Sequence, residues 1–168
     1  KSGYGLDTET ELRMLEIIRQ ADDRHPVDLV PTFMGAHAVP ENQDAEAYTE
    51  TVVDEQLPAV AEQGVAEFVD VFCEADVFTV DQSRRVLEAG QAAGLAPKVH
   101  AEEFGHFGGA ALAAEVGAVS ADHLLHATAS DAQALAEAGV VPVLLPATAF
   151  SLGAGYADPG QFQDAGAP

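Results

Sequence analysis

Phe68-Val69-Asp70-Val71-Phe72-Cys73-Glu74, a charge-studded stretch from Thr79 to Ala93, and Pro97-Lys98-Val99-His100-Ala101-Glu102 together decide how this sequence folds. The two outer runs are short, apolar and β-branched, the pattern of strands covered on both faces. The middle stretch carries its charges at helical spacing and closes on Gly94, a C′ glycine. Strand, helix, strand is a βαβ unit, and its two strands must run parallel.

The alternation extends in both directions. Upstream, Thr8 to Arg24 is a predicted helix with Leu12, Leu15, Ile17 and Ile18 on one stripe. Thr8 is its expected N-cap, with Glu11 completing a capping box and Pro26 as the stop. Val27-Asp28-Leu29-Val30-Pro31-Thr32-Phe33-Met34 follows as a predicted strand. Ala45 to Gln63 is a predicted helix with Val52, Val53, Leu57 and Val60 inward and Pro58 a candidate kink. Downstream, Gly108 to Val116 is a predicted helix ended by Gly117, and Ala121-Asp122-His123-Leu124 a short strand. Ser130 to Ala138 is a predicted helix with Ser130 as N-cap and Gly139 as stop, and Val140 to Pro146 is the last strand. The order β-α-β-α-β-α-β-α-β is an α/β class of parallel β/α units. It leaves two architectures, an open doubly wound sheet or part of a (β/α)8 barrel. No G-x-G-x-x-G follows the first strand, which weakens the dinucleotide-binding version. A complete barrel takes about 250 residues, so a chain of 168 accommodates part of one.

Composition narrows the function classes. The chain is 48% hydrophobic, enough to bury a core in one domain. It carries 7 basic residues against 28 acidic ones, a net charge of −21. That argues against nucleic acid as a partner, because neutralising phosphates takes Lys and Arg. An anionic membrane surface is disfavoured for the same reason, and no apolar run approaches the ~20 residues of a span. Lys1-Ser2-Gly3-Tyr4-Gly5 has no signal-peptide pattern and Cys73 is the single cysteine, so a reducing cytoplasm is the expected setting. Lysine occurs only as Lys1 and Lys98, and this acidity suits a halophilic source. A solvated acidic face that serves only solubility is the plainer reading.

Ionisable residues sit where the apolar runs stop: His37 after Gly35-Ala36, Glu74 after Cys73, His100 with Glu102 and Glu103, and Asp122 with His123. The C-terminal ends of parallel strands open on one crevice, so these groups converge on one expected pocket. Imidazoles mixed with carboxylates are the composition of a hydrolytic metal site. One histidine at a strand end is more often a hydrogen-bonded structural residue; three at equivalent positions favour a ligand reading. Glu103, past its strand end, leans over the opening as a candidate general acid or base, against the alternative of a solvated loop carboxylate. Glu102 points the other way and is the weaker candidate. Cys73 reads as a small buried hydrophobe and His25 as a surface residue. His106 and His126 lie in loops and fit either role, and Lys98 has no assignable carboxylate. Ser2-Gly3-Tyr4-Gly5 is a glycine-flanked phenol able to donate to a ligand, though an ordinary turn fits as well.

Several of these runs carry a resemblance. Lys1-Ser2-Gly3-Tyr4-Gly5-Leu6 and Pro31-Thr32-Phe33-Met34-Gly35-Ala36-His37-Ala38-Val39-Pro40 resemble the imidazolonepropionase family. So do Phe68-Val69-Asp70-Val71-Phe72-Cys73-Glu74, Val99-His100-Ala101-Glu102-Glu103-Phe104, Ser120-Ala121-Asp122-His123-Leu124-Leu125 and Leu144-Leu145-Pro146-Ala147-Thr148-Ala149-Phe150-Ser151-Leu152. The resemblance covers essentially the whole chain, in order. It implies a (β/α)8 barrel of the amidohydrolase superfamily with one divalent metal ion, zinc or iron. It implies hydrolysis of the cyclic amide C–N bond of 4-imidazolone-5-propanoate to N-formimidoyl-L-glutamate, in histidine degradation. Carried over by residue, His100 resembles the fifth-strand metal ligand. Glu103 resembles the carboxylate that contacts the substrate ring and moves protons. His123 resembles the sixth-strand histidine beside the metal and the attacking water, a second and weaker ligand candidate. Tyr4 and His37 resemble substrate-binding residues.

The resemblance also implies parts that this sequence does not carry. The family's first strand bears a His-x-His metal pair, and no His-x-His occurs here. Its eighth strand bears a metal-binding Asp, and its propanoate-gripping arginine lies near the first strand. The expectation is a single partial barrel domain over 1–168, from the end of strand two to the approach to strand eight. Such a piece is expected to be inactive by itself and to pair with a second copy through its open edges. Another ring hydrolase or deaminase of the superfamily, or a non-catalytic half-barrel that binds or assembles, remains an alternative.

Overall fold

A computed structural model describes residues 1–167. In chain order the elements are α1 (Thr8–Asp22), β1 (Thr32–Ala36), α2 (Ala45–Thr51), a π-helical turn (Val52–Gln56) and α3 (Leu57–Gln63). There follow β2 (Phe68–Cys73), α4 (Val80–Ala92), β3 (Ala96–Ala101), α5 (Gly109–Glu115) and β4 (Ser120–His123). The last are α6 (Ala129–Ala138), β5 (Val141–Val143), α7 (Pro146–Leu152) and α8 (Pro159–Asp164). The strands form one sheet in the order β1-β2-β3-β4-β5. The pairs β1–β2, β3–β4 and β4–β5 are parallel, as the βαβ reading requires. Strand order follows chain order without reversal, the arrangement of barrel sheets; a doubly wound sheet reverses at its switch point. Among the described residues no helix is long and apolar enough to cross a membrane.

The chain divides into two compact units. The first comprises Lys1–Val71 and Asp81–Ala96; the second comprises Phe72–Val80 and the residues from Pro97 onward. In the first, Leu15, Phe33, Val52, Leu57, Val60, Val69 and Leu87 are buried. A Cβ on Gly90 would lie 2.5 Å from Val69 Cγ1, so α4 meets β2 at a contact that only glycine fits. In the second unit, Val99, Leu112, Ala121, Leu124 and Leu135 form the core. Cys73 is buried there, the small hydrophobe expected.

Several local expectations are corrected. Asp7, not Thr8, caps α1: its carboxylate accepts the Thr10 N–H at 2.8 Å. Glu11 makes no capping box, because its carboxylate turns to Gly3 and Gly5. Ile17 is 51% exposed, since it lies about 200° around the helix from buried Leu15. The first strand begins at Thr32. Before it, Val27 and Val30 are exposed, and the Val27 and Leu29 N–H groups are taken by His25 Nδ1 and Asp22 Oδ1 in a turn. The long helix is interrupted ahead of Pro58: the Leu57 N–H reaches Val52 O, a bond one residue longer than the α-helical one. Thr128, not Ser130, caps α6, in a capping box with Asp131. The last strand ends at Val143, and Pro146 opens α7 at a position where a missing N–H costs nothing. Neither α7 nor α8 was expected from the sequence.

Candidate active site

The second unit gathers His100, Glu103 and His123, all placed by the C-terminal ends of β3 and β4. In the parallel register His100 pairs with Asp122 and Ala101 with His123, so the two histidines sit on adjacent strands one residue out of step. Their ring centroids are 5.2 Å apart. A ring nitrogen of His100 and a carboxylate oxygen of Asp122 lie within 4.8 Å of each other. Ser120 donates to the same carboxylate, Oγ to Asp122 Oδ1 at 2.8 Å. Phe72 sets its ring at 6.2 Å, edge-on, to His100.

Glu103 follows the end of β3 and turns its carboxylate to His123, with Oε1 3.4 Å from Nδ1. Both side chains are buried, to 8% and 7% exposure. Burial pushes the Glu103 carboxyl above the ordinary range, the His100 charge opposes that rise, and the Glu74 charge adds to it. The backbone around them is left-handed at three non-glycine residues: Glu102 (φ 55°), His123 (φ 79°) and Leu124 (φ 58°). Each such residue costs of order 1 kcal/mol, a form of strain that clusters at functional sites. Glu102 has another task, as its strand parity suggested. Its carboxylate accepts the N–H groups of Phe107 (2.6 Å), Gly108 (3.0 Å) and Ala110 (3.1 Å) and ties the loop to the start of α5. His106 pairs with Asp131 at 2.9 Å; His126 and His25 are exposed. Next to His123 opens a cavity of about 240 Å³ lined by Leu125, Leu144, Leu145, Ala149 and Tyr156.

The first unit holds Tyr4 and His37 together. Their rings meet edge to face at 4.6 Å, and Tyr4 is 73% exposed. The loop that presents Tyr4 is built from below. Ser2 docks on β1, donating N–H to Thr32 O and accepting the Met34 N–H on Oγ, each at 3.0 Å. Glu11, fully buried on α1, accepts the Gly3 N–H on both oxygens (3.1 and 3.0 Å) and the Gly5 N–H at 2.7 Å. Gly3 has φ +124°, and a Cβ there would sit 2.8 Å from Met34 O. In the same unit the buried Asp70 carboxylate accepts from Lys1 Nζ at 2.8 Å.

The chain is 71% identical over 168 residues to the imidazolonepropionase of Haloarcula marismortui, covering 100% of this chain and 40% of that protein. It is 68% identical over 162 residues to the one from Halobacterium salinarum, covering 96% of this chain and 39% of that protein. With the one from Alkaliphilus metalliredigens it shares 55% over 171 residues, 100% of this chain and 40% of that protein. From end to end the chain matches imidazolonepropionases. It spans about 40% of the length of these relatives. No family model matches. Among solved structures it superposes on an amidohydrolase from Brucella melitensis with TM-score 0.62 at 16% identity, over 98% of this chain and 41% of that one. It superposes on a zinc-bound adenosine deaminase from Xanthomonas campestris with TM-score 0.61 at 15% identity, over 91% and 38%. At that identity the likeness shows the fold alone, and the fold is that of the amidohydrolase barrels.

The imidazolonepropionase resemblance singled out Tyr4, His37, His100, Glu103 and His123; the last four stand at or just past strand ends, and Tyr4 lies in the loop before α1, against His37. Glu11 and Asp122 passed unweighted. A glutamate in the first turn of a helix reads as a cap, and only the folded chain shows Glu11 bonded to another loop. Asp122 was legible beside His123; its proximity to His100 required the β3–β4 register.

Proposed function

We propose that this chain is a section of a metal-dependent imidazolonepropionase, from the end of strand two to the approach to strand eight, that opens the ring of 4-imidazolone-5-propanoate with water. The observation that carries the reading is the buried Glu103–His123 contact beside His100, in a chain matched end to end by imidazolonepropionases.

The donor set fits a divalent ion. His100 and the nearby Asp122 carboxylate supply nitrogen and oxygen at the strand ends, with His123 as the weaker ligand, and such a set suits zinc or iron. An ion held there supplies a Lewis acid that polarises the carbonyl and acidifies water. Glu103, shielded from solvent, takes the proton that the attacking water loses and returns it to the ring nitrogen as the C–N bond breaks. His123 orients the water and faces the oxygen on which negative charge develops. Tyr4 and His37 hold the substrate.

The test uses the complete enzyme, with ring opening followed as loss of the imidazolone chromophore. Glu103→Gln and His123→Ala are expected to lower kcat by about 100-fold or more; near-normal turnover overturns the reading. Tyr4→Phe is expected to raise KM with kcat little changed. The 168-residue chain alone is expected to show no turnover with zinc or iron, because it contains no His-x-His pair. We also propose that the isolated chain pairs with a second copy, since Phe150 (75% exposed) and Tyr156 (64%) leave apolar surface uncovered. Light scattering that returns the monomer mass at micromolar concentration overturns this.

A further inference from the structure

Glu74 sits at the end of β2 with 1% of its surface exposed. Its carboxylate accepts from backbone amides. Oε2 accepts the N–H of Glu103 at 3.0 Å and that of Phe104 at 2.9 Å. Oε1 accepts the Ala75 N–H at 3.1 Å. Glu74 is itself anchored, its N–H bonded to Phe78 O and its carbonyl accepting the Val77 N–H, each at 3.2 Å. The carboxylate therefore belongs to a rigid turn, and two of its donors are the amides of Glu103 and the next residue.

That geometry has a consequence for Glu103. The residue follows left-handed Glu102 and precedes a half-exposed Phe104, outside any strand. No ladder bond holds its amide. The direction in which its side chain leaves the backbone is set by the peptide planes on either side, and both amides converge on one Glu74 oxygen. Glu102 offers the contrast: its three donors lie at 107, 108 and 110, beyond the site, so it fastens a loop without gripping the acid itself.

We propose that Glu74 is a positioning residue for the ring-opening reaction, holding the Glu103 amide so that the Glu103 carboxylate meets His123 and the substrate. The inference rests on the proposed role of Glu103. It gives Glu74 no contact with substrate and no proton of its own to move. A misplacement of a reacting group by ~1 Å costs about 100-fold in rate, so loss of this grip acts on kcat and leaves substrate affinity largely alone.

The test compares Glu74→Gln with Glu103→Gln in the complete enzyme. Glu74→Gln keeps the volume but sets an NH₂ or a weaker acceptor against the two amides. The expected result is a fall in kcat of about tenfold or more per folded molecule with KM within about threefold. Unchanged kcat in Glu74→Gln, alongside a dead Glu103→Gln, overturns this inference and leaves the function standing. An active Glu103→Gln overturns the function and the inference with it. A fall in activity that merely tracks the folded fraction overturns the positioning role. If Glu74→Gln does not fold, hydrogen exchange on the wild-type protein decides. The Glu103 and Phe104 amides are expected to be protected well beyond the exposed loop amides of Gly155 and Tyr156, and exchange at the loop rate overturns the proposal.

Discussion

Glu103 is held in the wrong solvent for a carboxylate. Its folded-state pKa is raised by burial above the unfolded value, so the folded chain binds its proton more tightly than the unfolded chain does. Stability from this group is fully present below the ordinary carboxylate range and is lost as pH rises through the folded value. Glu103→Gln, neutral at every pH, is therefore expected to melt higher than wild type near pH 7. Its advantage should vanish on acidification below about pH 4. Parallel melting curves across that range would contradict the burial account. Glu11 is also a buried carboxylate, and it accepts three hydrogen bonds from two backbone N–H groups, those of Gly3 and Gly5. Glu11→Ala strands those donors at an expected cost of about 2–4 kcal/mol, measured by urea unfolding. Glu11→Gln, which keeps an acceptor oxygen, should cost clearly less.

At the scale of elements, caps and close approaches decide what propensity leaves open. Thr128 accepts the Asp131 N–H while Asp131 accepts the Thr128 N–H at 2.7 Å, a reciprocal box that fixes where α6 starts. Thr128→Ala is expected to destabilise by about 1 kcal/mol, read as a shift in the unfolding midpoint at constant slope. Helix α4 carries Gly90 against Val69, where a Cβ meets all three heavy atoms of the valine side chain at 2.5–3.0 Å. Gly90→Ala exchanges a gain in helix propensity for overpacking, and the net expectation is a loss of about 1–3 kcal/mol. A more stable variant would mean that β2 yields at this contact. On α1 the half-buried Glu16 carboxyl is pulled down to about 2, first by its hydrogen bond to Arg19 and then by that to Gln20. The surface pair orders the helix face without much weight in stability.

For the whole molecule, charge is the dominant lever. A net −21 over 168 residues is a self-repelling surface. Raising salt from about 0.1 M to about 1 M shortens the screening length from about 10 Å to about 3 Å. The melting temperature is expected to rise over that range, and a flat or falling curve would show that local pairing already neutralises the repulsion. The few cations are concentrated in pairs such as Lys1–Asp70 and Arg85–Glu46.

The alternation of buried β-branched runs with charge-periodic helices was enough to establish parallel β/α units, because each pattern reflects which faces a segment buries. The resemblance of whole motifs singled out His100, Glu103, His123, Tyr4 and His37. What the sequence alone determined was therefore the class of fold and the residue types at the strand ends. Tertiary structure decided the rest. Sequential strand order separated barrel from doubly wound sheet, since local periodicity carries no information about which strands are neighbours. The starts of α1 and α6 went to Asp7 and Thr128, because adjacent polar residues compete for one cap and only backbone geometry chooses. Glu11, Glu74 and Glu102 read alike as acidic residues near element ends; their separate tasks follow from which loop amides fold back onto each, and those partners lie as many as 30 residues away in sequence.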